Sequence, residues 1–232
     1  MKQNVYEIEK NVERIYRSDA TRFLSNNVRI EVENRLKKYN YEIFRPFEEA
    51  EKVILYSRIY PKVRLFRIDC YKDDEIKHSA IMGSLFALNI TAEMFGDIVK
   101  YKDNFYMYLL DNISDLVVQN LHLVGSIPVS FTEVPLNYLS TFKREYERLE
   151  LIVSSLRIDT IISRLIGCNR DTINDKIRNQ EIFVNDLAVR KASNILGIGD
   201  VFSVRRYGKY RFSEIIGRTK KDNYIVGIDK YL

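Results

Sequence analysis

SLRIDTIISRLIGCNRDTINDKIRNQEIFVNDLAVRKASNILGIGDVFSVRR, residues Ser155 to Arg206, is the stretch that decides the fold of the C-terminal third. Ile158, Ile161, Ile162 and Leu165 recur at i, i+3, i+4 and i+7, which predicts one apolar helix face. Asp159 falls in the first turn, where a carboxylate complements the helix dipole. Asn169 is a fitting N-cap for a second helix whose apolar stripe is Ile173 and Ile177. A strand then ends at Val184-Asn185, and Gly199-Asp200 opens another.

Cations recur along these elements. Arg157, Arg164, Arg170 and Lys176 are expected to share one surface of the two helices. Arg190, Lys191, Arg205, Arg206, Lys209 and Arg211 follow on the strands and turns, with Tyr207 and Tyr210 interleaved. The charge balance agrees. Residues 1–150 hold 22 Lys+Arg against 23 Asp+Glu, a net of −1, while residues 151–232 hold 15 against 9, a net of +6. A cation cluster of this kind suits an anionic partner, because it releases counterions from a phosphate backbone. Arginine forks bind phosphate bidentately and stay charged, and structured RNA is read largely by shape and backbone. The tyrosines admit two readings, stacking on an unpaired base or packing within strands.

Working outward, glycine divides the chain: three lie before residue 150 and six after it. Residues 1–50 contain no glycine, and their first proline is Pro46. Val5, Ile8, Val12 and Ile15 predict one helix, and a second is expected from Asp19 to about Tyr39. Residues 51–140 then change period. KVILYSRIYP and KVRLFRIDCY read as a hairpin joined at Pro61-Lys62, His78–Ile90 as a helix, and strands follow at 96–99 and 105–110. A helix from Asp111 to about Leu123 and a strand over Pro128–Val134 complete an antiparallel α+β layer. Thr141–Glu150, dense in charge, reads as a linker. The expected architecture is therefore α+β. It comprises a helical N-terminal domain (1–50), a ferredoxin- or RRM-like α+β middle domain (51–140) and a small basic domain (151–232). Phe105, Tyr106 and Tyr108 on the middle strands read either as core or as a second RNA surface.

Other chemistry finds little support. No HExxH, P-loop, Gly-x-Gly-x-x-Gly or Cys/His cluster appears, so no metal and no small-molecule cofactor is expected. Only His78 and His122 are present. Cys70 and Cys168 are far apart and read as reduced thiols of a cytoplasmic protein. No apolar run approaches the ~20 residues needed to span a bilayer, and no membrane partner is expected. MKQNVYEIEKN carries acids and no apolar signal-like core.

Arg157-Ile158-Asp159, Asn169-Arg170, Ile177, Ile182, Val184-Asn185 and Gly199–Val204 together resemble the αL-type RNA-binding domain named for small-subunit ribosomal protein S-four. The likeness covers about 60 residues. It implies RNA contacts for Arg157, Arg164, Arg170, Lys176 and Lys191, with Asn185 at the turn. Two positions depart from the pattern: Asn169 replaces the usual serine, and Gln180 stands where a glycine usually ends the helix in the left-handed region. Outside this module, His78, Met82-Gly83, Ala87–Ile90, Glu93, Gly96–Ile98, Ser154–Arg157 and Gly217–Lys221 resemble YlmH-type proteins; Ala80 replaces an expected acid. That resemblance implies a cytoplasmic bacterial protein that binds rRNA and tRNA. It further implies association with the large ribosomal subunit, in ribosome-associated quality control of stalled nascent chains. With no catalytic motif in the chain, binding without catalysis is expected.

Two alternatives stay open. One is a cell-division scaffold, which would need no RNA. The other is a pseudouridine synthase, since Arg157-Ile158-Asp159 superficially resembles the Arg-Leu-Asp of those enzymes; yet only 26 residues follow Arg206. On the sequence alone, reversing Arg157 or Arg164 to Glu is expected to weaken RNA binding without unfolding the protein.

Overall fold

In the computed structural model, residues 2–17, 19–70, 76–185 and 187–231 are described. The chain divides into two compact units, Met1–Lys143 and Arg144–Leu232.

The first unit opens with α1 (Lys2–Tyr16) and α2 (Asn26–Arg35). Ile8, Val12 and Ile15 bury the predicted stripe of α1 against Val28, Val32 and Leu36. The helix expected from Asp19 begins seven residues later. Residues 20–24 are extended because their backbone is claimed elsewhere: Thr21 N–H donates to Leu55 O at 2.8 Å and Leu24 N–H to Val53 O at 2.7 Å. β1 (Glu42–Phe44) and β2 (Ile54–Tyr56) then pair with each other. The expected hairpin through Pro61 is therefore absent, since β2 takes β1 as its partner.

A five-stranded antiparallel sheet follows. It is built from β3 (Val63–Cys70), α3 (His78–Ala87), β4 (Phe95–Tyr101), β5 (Asn104–Leu110), α4 (Asp111–Asn120), β6 (Leu123–Val124) and β7 (Ile127–Val134). The strand order is β4-β5-β3-β7-β6. Both faces of this sheet are covered. Phe66, Ile68, Met107 and Leu109 pack with Ile81 and Leu85 of α3 and Ile113 and Val117 of α4. On the opposite face Leu65, Tyr106 and Tyr108 pack with Phe23, Phe44, Phe47, Leu139 and Phe142. Tyr106 is 1% and Tyr108 0% exposed, and the Tyr108 hydroxyl donates to Pro46 O or Leu136 O at 3.2 Å. Phe105, Tyr106 and Tyr108 are thus core, not a second RNA surface. Gly96 makes the packing possible, because a Cβ there would lie 2.9 Å from the Phe23 ring and 3.1 Å from Tyr108 Cβ. Phe23, Phe44 and Phe47 join this core, while α1 and α2 pack in a separate cluster with Leu24, Val53 and Leu55; all belong to the compact unit Met1–Lys143.

The second unit begins with β8 (Tyr146–Val153), so the charged segment expected to link domains is largely an edge strand. Then come α5 (Ile158–Ile166), α6 (Arg170–Arg178), β9 (Ile182–Val184), β10 (Leu187–Ala188), β11 (Val201–Val204), β12 (Gly208–Arg218) and β13 (Tyr224–Tyr231). They form one antiparallel six-stranded sheet ordered β10-β9-β11-β12-β13-β8. Both helices lie on one face of it. Ile158, Ile161, Ile162, Ile173 and Ile177 pack against Phe202, Val204, Phe212, Val226 and Ile228. The two predicted helices and the strands at Ile182–Val184 and Val201–Val204 stand where the sequence places them, but β10 and the loop to Asp200 lie between those strands in place of a simple turn. The long β12–β13 hairpin and its β8 partner extend the small basic domain into a broader sheet.

Candidate nucleic-acid interface

The helix pair is fixed by caps. The Asn169 side chain accepts from Thr172 N–H at 2.8 Å, satisfying a donor that the first turn leaves unpaired. At the other end of α6, Gln180 has φ +54. Its N–H donates to Ile177 O at 3.0 Å, and Glu181 N–H donates to Lys176 O at 2.8 Å. This is a complete Schellman closure made on a non-glycine residue. Gly167, with φ +67, ends α5 in the same region.

Arg157 is the N-cap of α5. Its guanidinium grips Asp159 bidentately, at 3.0 Å from Nε to Oδ1 and 2.7 Å from Nη2 to Oδ2. Burial pushes the Asp159 carboxyl up, but the Arg157 fork and Thr160 more than offset it and hold the carboxyl below its ordinary range. Thr160 continues the network, meeting the Ser155 hydroxyl at 3.1 Å and accepting from Arg170 Nη2 at 3.2 Å. Arg157 and Arg170 are therefore tied to one buried hub. Arg164, two turns after Arg157, is exposed and makes no ion pair among the described residues. Arg164 and Arg170 line an open cleft with Ser154, Thr160, Ser163, Gly167 and Cys168. Among the described residues, no acidic side chain lines it.

The loop after β10 adds to this side. Ile158 N–H donates to Asn194 O at 2.8 Å and Asp159 N–H to Ala192 O at 3.3 Å, which brings the Arg190-Lys191 segment to the start of α5. Val189 and Leu196 anchor the loop in the core, while Arg190 and Lys191 are exposed.

Lys176 does not join that surface. Six residues beyond Arg170, it is rotated away by about 240° on the helix. Its Nζ pairs with Glu181 at 2.8 Å and lies 5.3 Å from the Tyr207 ring centroid. The Lys176 bond lowers the Glu181 carboxyl, and the nearby Arg205 and Arg206 charges act in the same direction. Arg205, Arg206 and Lys209 line a second open cleft with Gln180, Phe183, Ser203, Val204 and Gly208, again without an acid among the described residues. Arg206 sits at φ +73 in the β11–β12 turn. Tyr207 is 44% exposed, whereas Tyr210 is 5% exposed and stacks on Phe202 within the core.

Two residues singled out in the sequence hold the fold. Asn185, at φ +47, donates from Nδ2 to Asp200 at 2.8 Å and accepts from Val201 N–H at 3.0 Å, locking the β9–β11 junction. Arg211 donates to Asp229 Oδ2 from Nη2 at 2.8 Å and lies 4.5 Å from the Tyr146 ring. Arg148 shares the same carboxylate at 2.7 Å. Burial pushes Asp229 up, and the Arg148 and Arg211 bonds outweigh it to hold the carboxyl low. Sequence reading missed the hydroxyls of Ser154 and Ser163 and the outward row Tyr146, Arg148, Glu150. The alternation of that row was the available signal.

No group of three or more His, Cys, Asp or Glu that could hold a metal occurs among the described residues. No described helix is long and apolar enough to cross a membrane. His78 opens α3 at an exposed position.

Residues 62–138 match the family model described as a putative RNA-binding domain in YlmH. The chain is 26% identical over 189 residues to the ribosome-associated protein quality control protein P2 of Bacillus subtilis (strain 168), covering 78% of this chain and 74% of that protein. Among solved structures it is similar to the cell division protein ylmH from Streptococcus pneumoniae. That likeness has 19% identity and a TM-score of 0.47, over 60% of this chain and 93% of the other. The matched segment 62–138 carries seven Lys+Arg against ten Asp+Glu, so the basic charge lies outside it.

Proposed function

We propose that this chain is a YlmH-type protein that binds structured RNA on the ribosome without catalysing a reaction, and that its C-terminal unit carries an S-four-type αL module. The observation that carries the RNA reading is the cleft beside α5 and α6, with no acid among its described lining residues. There Arg164 and Arg170 line the cleft together with Ser154 and Ser163. Arginines beside small hydroxyls match phosphate oxygens, and they ask nothing of the base sequence.

The alignment with a ribosome-associated quality-control protein over most of both chains supports the ribosome as the place of action. On this reading Arg164, Arg170, Arg190 and Lys191 clamp rRNA or tRNA backbone on the large subunit, beside a stalled nascent chain in the cytoplasm. Arg157 orders the first turn of α5, and Asn169 and Asn185 set the loops at either side. The mechanism is binding alone, with no cofactor.

The test is RNA affinity across a salt series, using purified ribosomal RNA and the full chain. Wild-type affinity should fall by roughly 0.7–0.9 log units per log unit of salt for each phosphate contact. Arg164→Glu/Arg170→Glu should weaken binding by tenfold or more at low salt and flatten the slope by about two contacts' worth. Equal affinity and equal slope in the double variant would overturn the proposed face.

A further inference from the structure

The six-stranded sheet has two faces, and α5 and α6 cover only one. Side chains alternate across a strand. With Ile182, Phe202, Val204, Tyr210 and Ile228 in the core, Phe183, Ser203, Lys209, Arg211 and Asp229 belong to the other face. Cross-strand pairing sets part of that face in one row. Phe183 lies opposite Ser203, Ser203 opposite Lys209, and Tyr231 opposite Tyr146. At ~4.8 Å per strand the row from β9 to β8 is about 19 Å long.

Rings and cations interleave along it. Tyr146 and Tyr231 meet edge to face with centroids 5.1 Å apart. Lys209 Nζ lies 5.2 Å from the Tyr231 ring, and the Arg144 guanidinium carbon 5.8 Å from it. At the β9 end, Phe183 and Ser203 lie in the cleft whose rim carries Arg205, Arg206 and Lys209. Arg211 is committed to Asp229, and the arginines that line the cleft beside Phe183 are Arg205 and Arg206. The β11–β12 turn that presents them is held by Arg205 N–H to Glu181 O at 2.9 Å and by the Tyr210 hydroxyl to Tyr207 O at 2.9 Å.

We infer that this sheet face, opposite α5 and α6, binds unpaired RNA, with a base stacked on Phe183 and its phosphates met by Arg205 and Arg206. An aromatic platform beside a cationic rim is the chemistry of single-strand binding: every base offers a π-face, and backbone charge supplies the rest. The inference rests on the RNA-binding reading and adds a second, strand-selective surface across the sheet from the helical one. Together the two faces fit an RNA in which a structured stem continues into a single strand.

The experiment compares a blunt RNA hairpin with the same hairpin carrying a short single-stranded tail, plus the tail strand alone. It uses the full chain, Phe183→Leu, Arg205→Gln/Arg206→Gln and Arg164→Glu. The tail should tighten wild-type binding about tenfold, and Phe183→Leu should erase that gain while leaving hairpin affinity unchanged. Arg205→Gln/Arg206→Gln should also lose the gain, and Arg164→Glu should weaken the hairpin itself. Equal wild-type affinity with and without the tail, or an equal loss on both RNAs in Phe183→Leu, would overturn the inference. Binding of the tail strand without the hairpin would overturn the helical-face reading and leave this one standing. Binding of none of the three would overturn both.

Discussion

Arg157 illustrates how a cation can serve the fold before it serves a partner. Its fork holds a carboxylate that is 4% exposed, and through Thr160 that carboxylate is joined to Arg170. Arg157→Glu would set two carboxylates against each other, so the loss of RNA binding expected from the sequence would be mixed with loss of structure. Arg157→Ala leaves Asp159 buried without its main partner, an omission that costs ~1–3 kcal/mol. The prediction is a lower melting temperature for Arg157→Ala at neutral pH. The sign of its pH dependence follows from Asp159, whose folded pKa lies below its unfolded one. Its stabilisation is fully present above the unfolded value of about 3.9 and fades as pH falls through the folded one. Thermal unfolding should therefore separate wild type from Arg157→Ala at pH 7 and bring the two together in acid. A constant gap down to pH 2 would contradict this. The sequence shows Asp159 plainly as a first-turn acid, yet only the packed helix shows that it is buried and paired.

At the scale of the element, two caps decide how rigidly α6 presents its cations. Asn169→Ala removes the acceptor for Thr172 N–H and should destabilise the second unit by ~1 kcal/mol, read as a lower midpoint in urea. Gln180→Gly removes the left-handed strain at φ +54 and should stabilise it by roughly 0.5–1 kcal/mol, raising the midpoint. An unchanged midpoint in Gln180→Gly would mean that the closure stores no strain. Both positions were legible in the sequence, because capping depends on neighbours three to five residues away. β8 was not legible. Tyr146, Arg148 and Glu150 on one side and Glu147, Leu149 and Leu151 on the other read as a charged linker, because an edge strand with charge on its open face lacks an apolar run. Its identity as a strand is fixed by β13, some 80 residues away. The same holds for residues 20–24, whose apolar spacing imitates a helix until the 53–55 segment takes up their backbone bonds.

For the whole molecule, charge and architecture divide the labour. The first unit closes both faces of its sheet and carries the segment matched to a YlmH RNA-binding domain, but little basic excess. The second unit carries the +6 of residues 151–232 and two clefts lined by cations, with no acid among their described lining residues. The α+β class and the helix pair were legible, because periodicity and composition are local signals. The division into two faces, with Lys176 and Arg205 set apart from Arg164 and Arg170, came only from the helix rotation and the strand register. The measurement that tests the central claim most directly is sedimentation of the full chain through a sucrose gradient of bacterial lysate. Wild type and Arg164→Glu/Arg170→Glu would be run side by side at low and high salt. The account predicts wild type in the large-subunit fraction at low salt, released at high salt, and the double variant at the top of the gradient in both. Wild type remaining at the top at low salt, or the variant travelling with the large subunit, would contradict it.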